Sequence, residues 1–274
     1  MIGTSLRSIG MIGLALSMLF AAPGAAPAAN ETPDPWPGLV RDVFNGRSLA
    51  DGSGLIAIEM PAHAEDAAIV PVTLRTTLPP GDKRMLKAFT LVIDNNPAPV
   101  AATFKVGPGV TAISTRVRVN SFTNVHAVAE LSDGKLYVVQ VYVKAAGGCS
   151  APMAKNLDEA KASLGQMRFR QFAPASGAPA TASREAQIMI RHPQNSGLQR
   201  DQVTLLYIPL FIIRDLRVWQ GDQLVLEMDG GISISEDPNI RFSYMANGAT
   251  TFRAEATDTD GHVFKGEWPA DQSM

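Results

Sequence analysis

Asp133-Gly134-Lys135-Leu136-Tyr137-Val138-Val139-Gln140-Val141-Tyr142-Val143-Lys144 is the stretch whose reading decides the fold. Its core is β-branched and aromatic, and Asp-Gly ahead of it, after the apolar run 125–131, is a hairpin signal. A run this apolar predicts a strand in the middle of a sheet. Working back toward the N-terminus, similar runs at 68–77, 88–94, 101–106 and 111–120 are separated by Pro79-Pro80-Gly81-Asp82, Asp94-Asn95-Asn96-Pro97 and Gly107-Pro108-Gly109. Short strands about 8–12 residues apart predict an antiparallel sandwich. Arg116-Val117-Arg118-Val119 alternates, which places the arginines on a wet face and the valines on a buried one.

Working forward, the run 135–144 leads straight into Gly147-Gly148-Cys149-Ser150-Ala151-Pro152. A helix is expected next, capped by Asn156 with Glu159 at the capping-box position and Leu157, Ala160, Leu164 and Met167 on one face. Residues 173–183 are Ala, Pro, Ser, Gly and Thr in the main, the composition of a linker. Strand-rich sequence then resumes, with expected strands at 186–191, 207–219, 224–229, 232–235, 240–245, 250–256 and 262–268. Gln220-Gly221-Asp222, Asn247-Gly248 and Asp258-Thr259-Asp260-Gly261 supply turns. The expected fold class is therefore all-β: two β-sandwiches joined by a short helix and an Ala/Pro/Gly/Ser linker. The expected boundaries are 30–150, 151–184 and 185–274. A short amphipathic helix near Pro37 precedes the first sandwich, with Trp36, Leu39, Val40, Val43 and Phe44 on its apolar stripe and Asn45-Gly46 as its stop.

Residues 1–29 read as a secretory signal. Arg7 precedes an apolar run of about 14 residues, and Ala26-Pro27-Ala28 has the small-residue pattern of a cleavage site. The run is shorter than the ~20 residues a spanning helix needs. Removing it takes one positive charge, so the formal net charge of −2 becomes −3. Lys and Arg are scattered, which argues against nucleic acid or an anionic membrane surface as partner. The expected mature chain is exported and soluble, without membrane insertion after cleavage.

Cys149 is the single cysteine of the chain. In an oxidising compartment a lone thiol must be hidden, paired with another molecule or used. Gly147 and Gly148 predict a thin, movable arm that presents the sulfur, with Ser150 on its far side. A buried cysteine and a disulfide to a second chain are the two bland alternatives. A cysteine enzyme needs a histidine base. Spacing alone does not put His63, His126, His192 or His262 beside Cys149, and a surface or packing role is the default for each. No histidine or cysteine pair has metal-ligand spacing, and no nucleotide or cofactor fingerprint occurs. Asp258 and Asp260 read as turn residues. Glu236-Asp237-Pro238-Asn239 follows a small-residue stretch and is expected as a partner-facing loop.

The chain resembles the SoxYZ sulfur-compound carriers, with both subunits fused into one polypeptide, and more narrowly the SoxYZ-like carriers associated with quinoprotein dehydrogenases. The SoxY-like part carries the Trp36 helix, Gly52-Ser53-Gly54-Leu55-Ile56, Ala64-Glu65-Asp66, Val70-Pro71-Val72 and the Gly147-Gly148-Cys149 arm. The SoxZ-like part carries His192-Pro193, Ser196-Gly197-Leu198, Tyr207-Ile208-Pro209 and the segment 230–239. The resemblance implies immunoglobulin-like sandwiches, a periplasmic home and Cys149 as the covalent attachment point for a sulfur substrate, as in thiosulfate oxidation. It implies partner enzymes of sulfur oxidation, or a quinoprotein dehydrogenase or its cytochrome, and no cofactor or catalytic residue in the chain itself. The chain departs from the family pattern at the arm. A SoxY cysteine lies in a Gly-Gly-Cys-Gly-Gly tail at the C-terminus, whereas Ser150-Ala151-Pro152 and a whole further domain follow Cys149. Three functions are thus expected in order: a covalent carrier, a non-covalent docking module with Cys149 incidental, and a cysteine enzyme.

Overall fold

The computed structural model describes residue 3 and residues 33–152, 157–173 and 183–270. The expected signal peptide apart from residue 3, Asn156 and most of the expected linker lie outside the described residues. Helix α1 (Trp36–Val43) opens the described chain, followed by β1 (Leu49–Asp51), β2 (Ile56–Glu59), β3 (Val70–Thr76), β4 (Leu86–Ile93), β5 (Val100–Val106), β6 (Ala112–Val117), β7 (Thr123–Leu131) and β8 (Leu136–Val143). Helix α2 (Leu157–Ala162) comes next. Then follow β9 (Met167–Phe172), β10 (Arg184–Ile190), β11 (Ile213–Gln220), β12 (Gln223–Gly230), β13 (Asn239–Tyr244), β14 (Thr251–Asp258) and β15 (Val263–Pro269). The all-β expectation holds.

The strands form two sheets, and each sheet runs through both halves of the chain. One has the order β1-β8-β7-β4-β5-β12-β11-β14-β15, the other β2-β3-β6-β13-β10-β9. The halves therefore meet edge to edge. β5 pairs antiparallel with β12 from Val106↔Leu226 to Ala102↔Gly230, and β6 pairs with β13 at Ser114↔Arg241 and Ile113↔Phe242. Open edges of two sandwiches would otherwise present unpaired backbone groups to water and to other chains. At this junction Gly107 has no room for a side chain, because a Cβ there would sit 2.1 Å from the Leu224 carbonyl oxygen. One continuous apolar core, from Ile56 and Val70 through Phe89 and Phe104 to Ile188, Phe242 and Phe252, fills the space between the sheets. From Pro35 onward the chain is one compact unit.

Several local expectations are corrected. Met167 belongs to β9 rather than to the helix, because Met167-Arg168-Phe169-Arg170-Gln171-Phe172 alternates at period 2. Phe169 buries its ring against Phe252 and Trp268 at centroid distances of 4.8 and 5.2 Å. Residues 207–212 and 232–235 are not strands, and Ile234 makes only an isolated bridge to Val117. β8 is not central. It is second from the edge, covered by the three-residue parallel strand β1, and its residues 139–142 are half-buried or exposed. α1 packs as expected. Phe44 joins Val92, Val128 and Leu136 in a small apolar cluster with Trp36, Leu39 and Val43.

Candidate functional site

Where β8 ends, the chain turns back into the seam between the halves. The Gly147 and Gly148 N–H groups donate to the carbonyls of Asn120 (2.8 Å) and Val119 (3.0 Å), and Ser150 N–H donates back to Gly147 O (3.2 Å). Cys149 is fully buried. The expected free arm is corrected here: in this conformation the segment is docked and the sulfur is hidden. Gly148 serves close approach rather than mobility, since a Cβ would lie 2.0 Å from the Ala67 carbonyl oxygen and 2.7 Å from that of Val119. Gly147, with φ of +79° and open space around it, is the residue that makes the turn.

The second half clamps the same segment. The Ser196 hydroxyl donates a short hydrogen bond to the Cys149 carbonyl, and the Gln199 amide donates to the Ala151 carbonyl at 3.1 Å. Ser196 and Gln199 are themselves joined, Ser196 N–H to Gln199 Oε1 at 2.9 Å. Both side chains are buried. Beneath the cysteine lies Arg118, only 1% exposed. Its Nη1 donates to Gly148 O (3.2 Å) and its Nη2 to Gln194 O (3.4 Å). Its backbone N–H donates to Ser233 O at 2.7 Å, and Asn96 Nδ2 ties the Arg118 carbonyl to the Ser233 hydroxyl, at 2.8 Å to each. Burial pushes the Cys149 thiol up to about 11, opposed by the Arg118 charge and by a hydrogen bond with Ser233. Burial likewise holds Arg118 below its ordinary value, opposed by the charges of Cys149, Glu236 and Asp66.

The histidines lie elsewhere. His126 Nδ1 is 2.9 Å from Asp94 Oδ1, both buried, under the Trp36 ring stacked at 3.5 Å. His192 is buried with Nε2 3.7 Å from Asp258 Oδ2, and burial pushes it down to about 4. His262 is largely exposed and reaches the same Asp258 oxygen at 2.8 Å. His63 is exposed beside Lys144. Among the described hydrogen bonds, none joins a histidine side chain to Cys149. Among the described residues, no group of three or more His, Cys, Asp or Glu is placed to hold a metal ion.

Glu236 and Asp237 are half-buried and tied to their own chain. Asp237 pairs with Arg191 and accepts the His192 N–H at 3.0 Å, while Arg116 Nη2 donates to the carbonyls of Asp237 (2.9 Å) and Glu236 (3.4 Å). The loop borders a cavity of about 320 Å³. Sequence reading missed an apolar surface nearby. Val203, Leu205, Leu206, Tyr207 and Leu210 are exposed within eight residues, and the last three help line a groove of about 520 Å³ that also reaches Asn195 beside Ser196. It also missed Arg118, Ser233 and Gln199.

Comparison with known families bears directly on this seam. Residues 40–149 match the family model "Sulfur oxidation protein SoxY", and residues 173–269 match "Sulphur oxidation protein SoxZ". The chain carries a SoxY domain and a SoxZ domain in tandem. The SoxY match ends at Cys149 itself, and Ser196 and Gln199 fall inside the SoxZ match. SoxYZ proteins are sulfur-oxidation carriers or accessory proteins that work with sulfur-oxidation enzymes, and are typically periplasmic. No helix among the described residues is long and apolar enough to cross a membrane. Compared with curated proteins, the sequence has no significant match. Among solved structures, a superoxide reductase (neelaredoxin) from Ignicoccus hospitalis is 11% identical with a TM-score of 0.29, covering 39% of this chain and 90% of its own. A beta-glycosidase from Bacteroides vulgatus is 8% identical with a TM-score of 0.24, covering 78% of this chain and 24% of its own. Likenesses of that size carry no functional weight.

Proposed function

We propose that this SoxY–SoxZ chain is a periplasmic carrier that binds a sulfur compound covalently at Cys149 and delivers it to partner enzymes. The observation that carries the proposal is the placement of its one cysteine at the end of the SoxY match, in a segment that Ser196 and Gln199 of the SoxZ match hold by the Cys149 and Ala151 carbonyls. The docked conformation is the shielded state. A hidden sulfur does not react with stray oxidants or thiols, which protects cargo in transit. Exchange of cargo then requires the segment to leave the seam. Its attachments are backbone and side-chain hydrogen bonds worth ~1 kcal/mol each net, so release by a docked partner enzyme is affordable. The turn at Gly147 is the hinge. Because the chain continues after Ser150, the segment moves as a loop held at both ends rather than as a free tail.

Cys149→Ser is expected to fold and to lose transfer between partner enzymes altogether. Full transfer by that variant contradicts the proposal. A second reading is supported by the exposed apolar run at 203–210: a docking module for a quinoprotein dehydrogenase or its cytochrome, in which Cys149 is incidental. It predicts a complex with such a partner that Cys149→Ser leaves intact while activity also survives.

A further inference from the structure

Arg118 brings a positive charge to the seam, and among the described residues no carboxylate hydrogen-bonds to its guanidinium. It is 1% exposed, and the two groups it donates to, the carbonyls of Gly148 and Gln194, are neutral. Among the described residues its Nε has no acceptor, and neither does the side-chain nitrogen of Gln194, which is also fully buried. Glu236 and Asp66 act on Arg118 only through their charges, and both are partly or fully solvent-exposed. A buried guanidinium without a bonded counter-ion is costly, and an apolar side chain would fill the position without that cost. Cys149 offers a place for a compensating anion inside the seam. The carbonyl that Arg118 Nη1 holds belongs to the residue before Cys149, and the sulfur and the guanidinium attract each other when the sulfur is charged.

We infer that Arg118 is the counter-ion of an anionic group attached to the Cys149 sulfur, holding a cargo that ends in a negatively charged sulfur or sulfonate while the segment is docked. The cargo part rests on the carrier reading; the charge pairing does not. Arg118 is on this account a positioning residue that favours anionic over neutral adducts. Its planar, permanently charged fork suits the oxygens of a sulfonate.

Two alkylated forms of the mature chain test this, because Cys149 is the sole cysteine. Iodoacetate leaves a carboxymethyl anion on the sulfur, and iodoacetamide leaves a neutral carboxamidomethyl group of the same size, so bulk cancels in the comparison. Urea unfolding is then measured for both forms. In the wild type the carboxymethyl form is expected to unfold about tenfold less readily than the carboxamidomethyl form, the size of coupling between charges in contact. Arg118→Gln is expected to abolish the difference and Arg118→Lys to keep part of it. An equal difference in wild type and Arg118→Gln overturns the inference. So does the absence of a difference in the wild type, which decides the matter alone should Arg118→Gln not fold. Native cargo without this coupling would keep the carrier reading and remove the role of Arg118; coupling without cargo would do the reverse.

Discussion

With its thiol pushed up to about 11, Cys149 is ionised in about one docked molecule in a thousand at pH 8. The folded chain holds the proton more tightly than the unfolded one, whose thiol has the ordinary value of about 9. Its contribution to stability is therefore complete below pH 9 and is lost as pH rises toward 11. Wild type is expected to lose stability more steeply than Cys149→Ala between those values in urea titrations. Parallel profiles would mean that the sulfur is not desolvated in solution. Composition alone singles out Cys149 as the one cysteine of the chain. The place of Arg118 was not legible in the sequence. Alternation put it on the wet face with Arg116, but β6 ends at Val117 and the next residues leave the sheet for the seam. Period-2 reasoning stops applying where the strand stops.

At the scale of the element, the segment 147–152 reads as flexible in sequence because glycines carry two meanings. Gly147 needs its positive φ; Gly148 needs its missing Cβ. Gly148→Ala is expected to cost about 1–3 kcal/mol, by overpacking against two backbone carbonyls, or to expel the segment. Either way Cys149 should react faster with iodoacetamide at pH 8 than in the wild type. An unchanged rate and melting temperature would mean that the docked conformation is not the resting one. The strands of both halves were legible because alternation and turn residues agree locally. Two kinds of element were not. β1 and β2 are only three and four residues long and owe their pairing to β8 and β3. β9 follows a helical pattern so closely that Met167 fits either period, and only the ring contacts of Phe169 decide it.

For the whole molecule, two sandwiches in sequence become two sheets in space. No local signal marks edge pairing such as β5 with β12, because it depends on register between strands more than a hundred residues apart. That pairing and the shared core predict a single cooperative unfolding transition, with calorimetric and van't Hoff enthalpies equal. Two resolved transitions would show halves that fold independently. The same seam supplies the Cys149 clamp, so halves that separate would also release the sulfur.

The central claim is that Cys149 carries a sulfur group, and the intact mass of the native protein purified from its own cells, with and without reductant, tests it most directly. The account predicts a reductant-sensitive increment that maps to Cys149 and fits sulfur atoms or a small sulfur-containing group. A bare thiol in every preparation, taken while the partner enzymes are turning over, would contradict it.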